Sequence, residues 1–162
     1  MDEVDEILAS WARELPGLDT APLASFSRIS RLARHLDRAR SEAFAAQELE
    51  IWEFDVLAAL RRQGPPYEAS PGDLIHETLS TSGTMTNRVN RLEARGLVVR
   101  LPNVADRRGV LVRLTEEGRQ RVQAALSDLL DFERTLLAGI PADSRRELAD
   151  ILRQLLAPFE GS

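Results

Sequence analysis

Thr84, Asn87, Arg88 and Arg91 recur at three- and four-residue spacings, so a helix over Ser82–Arg95 puts all four on one face. Short hydroxyl and amide groups and guanidinium groups are the side chains that bond base edges and phosphates. Met85, Val89 and Leu92 repeat on the other side as a row to be buried. Ser80 and Ser82 lie where that helix begins and add neutral donors suited to phosphate oxygens. Further on, Asp106-Arg107-Arg108-Gly109 sets two guanidinium groups at a loop tip, with a carboxylate able to brace one of them. An arginine so placed can enter a minor groove, where a narrow groove deepens the negative potential. Each feature alone also suits an ordinary solvated surface. Together, in this order, they point to double-stranded DNA.

The whole chain opposes that reading at first, since its 162 residues carry a net charge of −5. The distribution favours it. From Arg88 to Arg113 the sequence holds seven arginines (88, 91, 95, 100, 107, 108 and 113) against Glu93 and Asp106, a local net of +5. Such a basic stripe on an acidic body is a footprint for phosphate. All basic residues are arginine.

The remaining composition narrows the function class. Without cysteine there is no disulfide, thiol nucleophile or thiol redox sensor within the chain. His35 and His76 are far apart and lack a ligand cluster, so no metal site is expected. No phosphate-binding glycine loop or credible triad is present, and no catalytic residue or cofactor is implied. No apolar run reaches the roughly 20 residues of a membrane span. The acidic, amphipathic start suits neither a secretory signal nor a transit peptide, so a cytoplasmic location is expected.

The positioning elements follow from periodicity and punctuation. Val4, Ile7, Leu8 and Trp11 predict a helix over 3–14, stopped by Pro16-Gly17. A longer helix is expected over 23–47, with Phe26, Ile29, Leu32 and Leu36 as its stripe, and a third over 46–63. In the third, Leu49, Trp52, Val56, Leu57 and Leu60 are expected to face inward. Ser70-Pro71 reads as an N-cap with proline at the first helical position, opening a short helix to Leu79. The turn Ser80-Thr81-Ser82 leads into the polar-faced helix, and Gly96 stops it. Two strands, 97–101 and 110–114, flank the arginine-tipped loop. Thr115 caps a helix to about Ala138, and a last helix covers 142–159. The expected fold is mainly α with a small two-stranded β wing: a winged helix-turn-helix with a helical dimerisation region. Residues 1–47 would supply an extra N-terminal helix and a dimerisation helix, 48–115 the winged helix-turn-helix DNA-binding lobe and 116–162 the C-terminal dimerisation helices.

The segment from Met85 to Val98, and that from Asp106 to Gly118, resemble the MarR family of bacterial regulators. The family's wing pattern, Asp-x-Arg followed by a strand and Leu-Thr-x-x-Gly, is matched at Asp106, Arg108, Leu114, Thr115 and Gly118. The helix order agrees over residues 23–159. The resemblance implies a homodimer that binds a pseudo-palindromic operator, with repression the usual mode. Broad apolar stripes agree with a dimer, among them Leu126, Leu130, Leu152 and Leu155. A twofold pair would set two reading helices roughly 34–36 Å apart.

The additional helix at residues 1–20 resembles the urate-responsive branch of that family. There, a tryptophan on the added helix, an aspartate on a scaffold helix, and arginines on the reading helix and first wing strand serve ligand response. Trp11, Asp55, Arg88 and Arg100 hold those places here. The implied effector is a small anion, urate or xanthine first and an aromatic or polycarboxylate anion otherwise. It would stack on Trp11, bond Arg100, repel Asp55 and so move the reading helix. Plainer roles stay open. Trp11 could anchor its helix, Asp55 could pair with Arg34 or Arg38, and Arg100 could brace the wing. A winged helix that binds protein without ligand response is the rival class, and it would carry an apolar patch in place of the arginines.

Overall fold

The computed structural model describes residues 1–103 and 109–160. The wing-tip residues Asp106, Arg107 and Arg108 lie outside the described residues. Helix α1 (Glu3–Glu14) starts at a capping box. The Asp2 carboxylate accepts from the Val4 and Asp5 N–H groups at 3.0 and 3.1 Å, while Asp5 accepts from Asp2 N–H at 2.8 Å. Arg28 of α2 (Ala21–Ala45) docks this helix, donating to Asp2 at 2.8 Å and to Asp5 at 2.6 Å.

Helix α2 ends earlier than its apolar pattern predicts, and α3 (Ile51–Arg62) begins later than residue 46. Between them Glu48 adopts φ +55° and Leu49 N–H bonds the Phe44 carbonyl at 2.8 Å. That left-handed residue reverses the chain and stacks Phe44 on Phe54, ring centroids 3.9 Å apart. Around the pair, Leu57, Leu60, Leu74, Met85, Leu92 and Leu97 are fully buried.

Strand β1 (Glu68–Ala69) leads to α4 (Pro71–Glu77), capped by Ser70, and α5 (Ser82–Ala94) follows. Helix α5 closes as its glycine predicts: Gly96 takes φ +71° and Leu97 N–H bonds the Leu92 carbonyl at 3.0 Å. Strands β2 (Val98–Pro102) and β3 (Val110–Leu114) pair antiparallel, Val98 opposite Leu114 and Pro102 opposite Val110. The wing carries a third strand, since β1 adds Glu68 opposite Arg113 in the order β1-β3-β2. Two residues show no alternation, which is why the sequence predicts two strands.

Helix α6 (Glu116–Leu137) is welded to the wing root. Thr115 Oγ1 accepts from Gly118 N–H at 3.0 Å and donates to the Gly96 carbonyl at 2.7 Å. A Cβ on Gly118 would sit 2.1 Å from the Leu97 carbonyl oxygen. This explains the glycine of the Leu-Thr-x-x-Gly pattern: wing and helix touch backbone to backbone. Helix α7 (Ala142–Leu156), extended by a 3-10 turn over Ala157–Phe159, buries none of its residues. Leu148, Ile151 and Leu155 stay 38–47% exposed, and Phe26, Ile29 and Leu32 of α2 are similarly open. Among the described residues no helix is long and apolar enough to cross a membrane.

Gly118→Ala should therefore cost about 3 kcal/mol, because a carbonyl of the backbone cannot step aside. Calorimetry should show Tm lowered by roughly 10 °C; an unchanged Tm would mean that the junction opens freely. Arg28, with backbone N–H groups, holds the Asp2 carboxyl at about 2. Because folding lowers this pKa, the contribution of Asp2 to docking α1 is complete above the ordinary carboxylate range, fades as pH falls below that range and is lost once pH has fallen through about 2. Its carboxyl carbon shift should stay constant where an ordinary aspartate titrates.

Candidate nucleic-acid interface

Thr81, not Ser80 or Ser82, caps α5: its Oγ1 accepts from Thr84 N–H at 3.3 Å and donates to Thr84 Oγ1 at 2.9 Å. Ser80 is half-buried with its hydroxyl 3.0 Å from Thr78 Oγ1, whereas Ser82 is exposed as the first helical residue. Met85, Val89 and Leu92 lie buried as expected, which turns the polar face outward.

Four predicted DNA-contacting residues come together on that face. Thr84, Asn87, Arg88 and Arg91 line one open cavity of about 410 Å³ with Gly83 and Trp52. Trp52, expected to face inward from α3, packs against the core with only part of its ring. Half-buried, it presents its ring to Arg88, with the guanidinium carbon 5.6 Å from the centroid, and to Arg91 at 4.7 Å. Its indole N–H donates to the Glu50 carboxylate, which also accepts from Arg91 at 3.2 Å. The indole first, then Arg91 and Arg95, hold the Glu50 carboxyl below the ordinary carboxylate range against the opposing effect of desolvation. A tryptophan two residues after a glutamate was the sequence signal for this cluster, and nothing in the apolar periodicity distinguishes it from core.

The basic stripe is partly neutralised, by carboxylates from outside it and by its own Glu93. Arg95 pairs with Glu53 at 2.6 Å and donates to the Glu48 carbonyl at 2.6 Å. Arg113 meets Glu68 at 2.6 Å. Arg100 bonds both carboxylate oxygens of Glu93 through its backbone and side chain, and Asn90 Oδ1 at 2.6 Å. A net of +5 counted along residues 88–113 thus shrinks once Glu50, Glu53 and Glu68 fold against it.

The four residues implied in ligand response keep separate company in the single chain. Trp11 is 45% exposed on α1, which docks on α2 through contacts around Arg28 and Arg31. Arg88 lies against Trp52, and Arg100 braces the wing. Asp55 pairs at 3.0 Å with Arg40, not with Arg34 or Arg38. Arg40 also lies over the Phe44 ring at 5.6 Å, and its buried Nε has no hydrogen-bond partner among the described residues. Arg40 and Asp55 line a cavity of about 460 Å³ with Phe54, Arg62, Leu126 and Glu133 from the scaffold helices, and Glu77, Thr78 and Leu79 from α4 and its turn. Its size suits a small molecule.

A short helix, a turn, a polar-faced second helix and an antiparallel wing define a winged helix-turn-helix. A model of the MarR family matches residues 48–109. The chain is 34% identical over 150 residues to the HTH-type transcriptional regulator PecS of Dickeya dadantii (strain 3937), spanning 93% of this chain and 90% of that one. A mutant MarR from E. coli complexed with operator DNA superposes with a TM-score of 0.69 and 25% identity, covering 90% of this chain and 97% of that one. The fold is also that of AbsC from Streptomyces coelicolor, with a TM-score of 0.78 and 18% identity over 90% of this chain and 98% of that one. The chain belongs to the MarR family of DNA-binding transcriptional regulators.

Two arginines seven residues apart, Arg88 on α5 and Arg95 at its C-terminal cap, should thus behave oppositely. Arg95→Ala leaves Glu53, 1% exposed, as an uncompensated buried charge and should cost about 3 kcal/mol of stability. Arg88→Ala should leave the denaturation midpoint within about 0.5 kcal/mol of wild type while weakening DNA binding. Urea denaturation of both variants checks the contrast; equal stability losses would refute it.

Proposed function

We propose that this regulator binds a pseudo-palindromic operator as a homodimer and releases it when a small anion binds. The observation carrying the DNA half is the outward cavity shared by Thr84, Asn87, Arg88 and Arg91. Ser82 at the helix start, and Asp106, Arg107 and Arg108 from the wing sequence, complete the proposed contact set, while Ser80 is turned toward Thr78. The open leucine faces of α6 and α7 and the apolar stripe of α2 support the homodimer, because each half-exposed side chain stands to gain about 1 kcal/mol on burial.

The effector half rests on the Arg40–Asp55 cavity, which touches both the scaffold helices and the turn before the reading helix. An anion there competes with Asp55 for Arg40 and with Glu77 for Arg62, which it bonds at 2.8 Å. Losing the Arg62–Glu77 bond leaves Glu77 held by Gln63 alone, at 2.6 Å, which loosens the end of α4 on α3 and lets the turn before α5 shift. Urate or xanthine is our preferred effector. Trp11, Arg88 and Arg100 act in this response only once the dimer or a moved wing brings them near. The apolar lining from Phe54 and Leu126 also favours an aromatic carboxylate, which makes that the second reading.

The test is binding to duplex DNA from the chain's own upstream intergenic region, titrated with urate, xanthine and salicylate. Release by a purine supports the first effector, release by salicylate alone the second, and tight binding indifferent to all three removes the effector half. Asp55→Asn should bind DNA at wild-type affinity yet respond less to the anion; a fully responsive variant excludes Asp55 from the mechanism. Arg108→Ala should weaken binding across sequences and flatten its salt dependence by about one ion. An unaltered salt titration would remove the wing arginine from the contact set.

A further inference from the structure

We propose that Glu50 and Trp52, at the start of α3, tune the grip of α5 on DNA: Trp52 is a shelf that positions Arg88 and Arg91, and Glu50 is an anion that competes with DNA for Arg91. The proposal rests on α5 being the DNA-reading helix. Neither residue lies on the helix-turn-helix or the wing, yet Trp52 shares a cavity with the four outward residues of α5.

The geometry separates the two roles. The Trp52 ring lies within 5.6 Å of the Arg88 guanidinium carbon and 4.7 Å of that of Arg91, so one indole restrains both long side chains. Arginines already restrained lose less freedom when phosphates or bases immobilise them. Glu50 acts in the other direction. It ties the indole N–H in place and holds Arg91 at 3.2 Å, so an incoming phosphate must take that arginine from a carboxylate. With side chains 53% and 58% exposed, the Arg91–Glu50 pair is a weak surface bond that a phosphate can displace. Removing its charge also removes an anion beside the phosphate path.

The opposite signs make the test specific. The probes are a duplex selected from a randomised pool by the wild-type chain and a mixed-sequence duplex of equal length. Trp52→Leu should bind the selected duplex roughly tenfold more weakly, with an unchanged salt slope because the same phosphates are met. Trp52→Phe keeps an aromatic face and should stay within about threefold of wild type. Glu50→Gln still accepts the indole N–H and should bind both probes more tightly, by up to about fivefold. Wild-type affinity in Trp52→Leu overturns the shelf, as does Trp52→Phe binding as weakly as the leucine variant. Unchanged or weaker binding by Glu50→Gln overturns the competition, and that variant decides alone if Trp52→Leu does not fold. A wild-type chain that enriches no duplex overturns the assignment of α5 to DNA, and this proposal with it.

Discussion

The joint between scaffold and reading helix hangs on one buried ion pair. Glu53, on α3, is almost wholly enclosed and offers one carboxylate oxygen to both Arg95 and the Glu50 N–H. Arg95, at the end of α5, adds a bond to the carbonyl of Glu48, the residue whose left-handed backbone reverses the chain between α2 and α3. A carboxylate removed from water is tolerable only while its cation stays. The pair therefore fixes where α5 ends relative to α3, and with it the direction in which Thr84, Asn87, Arg88 and Arg91 point. The other Glu53 oxygen is buried without a hydrogen-bond partner among the described residues, so the joint is held at some cost.

Charge is spent inside this protein as much as on its surface. Glu93, Glu68 and Glu53 each take an arginine that a linear count assigns to DNA. Tyr67 takes another kind of share, with the guanidinium of Arg61 4.6 Å and that of Arg119 5.9 Å from its ring. Planar guanidinium groups can stack and fork where an ammonium cannot. An all-arginine chain can thus use one residue type as brace, as stack and as phosphate contact.

Much of this was legible beforehand because it follows from local chemistry. Ser70 and Thr115 announce helix starts, and Gly96 a stop, through bonds made within a few residues. The outward row of α5 needed only helical spacing. What escaped was long-range. Nothing near Arg95 in sequence names Glu53 as its partner, and the break at Glu48 runs against an apolar pattern that continues through it. Asp55 was singled out as a carboxylate needing a partner, but Arg40 could be found only once α2 and α3 were laid side by side. Trp52 looked like core because a tryptophan's apolar body and its stacking face give the same periodicity.

The backbone contact between Gly118 and Leu97 has a mechanical meaning. With no side chain between them, the wing root and α6 form one stiff piece, and α6 spans about 33 Å. Each degree of tilt about the wing root displaces the far end of α6 by about 0.6 Å. The helix works as a lever arm: small rotations at one end and ångström-scale shifts at the other are the same motion.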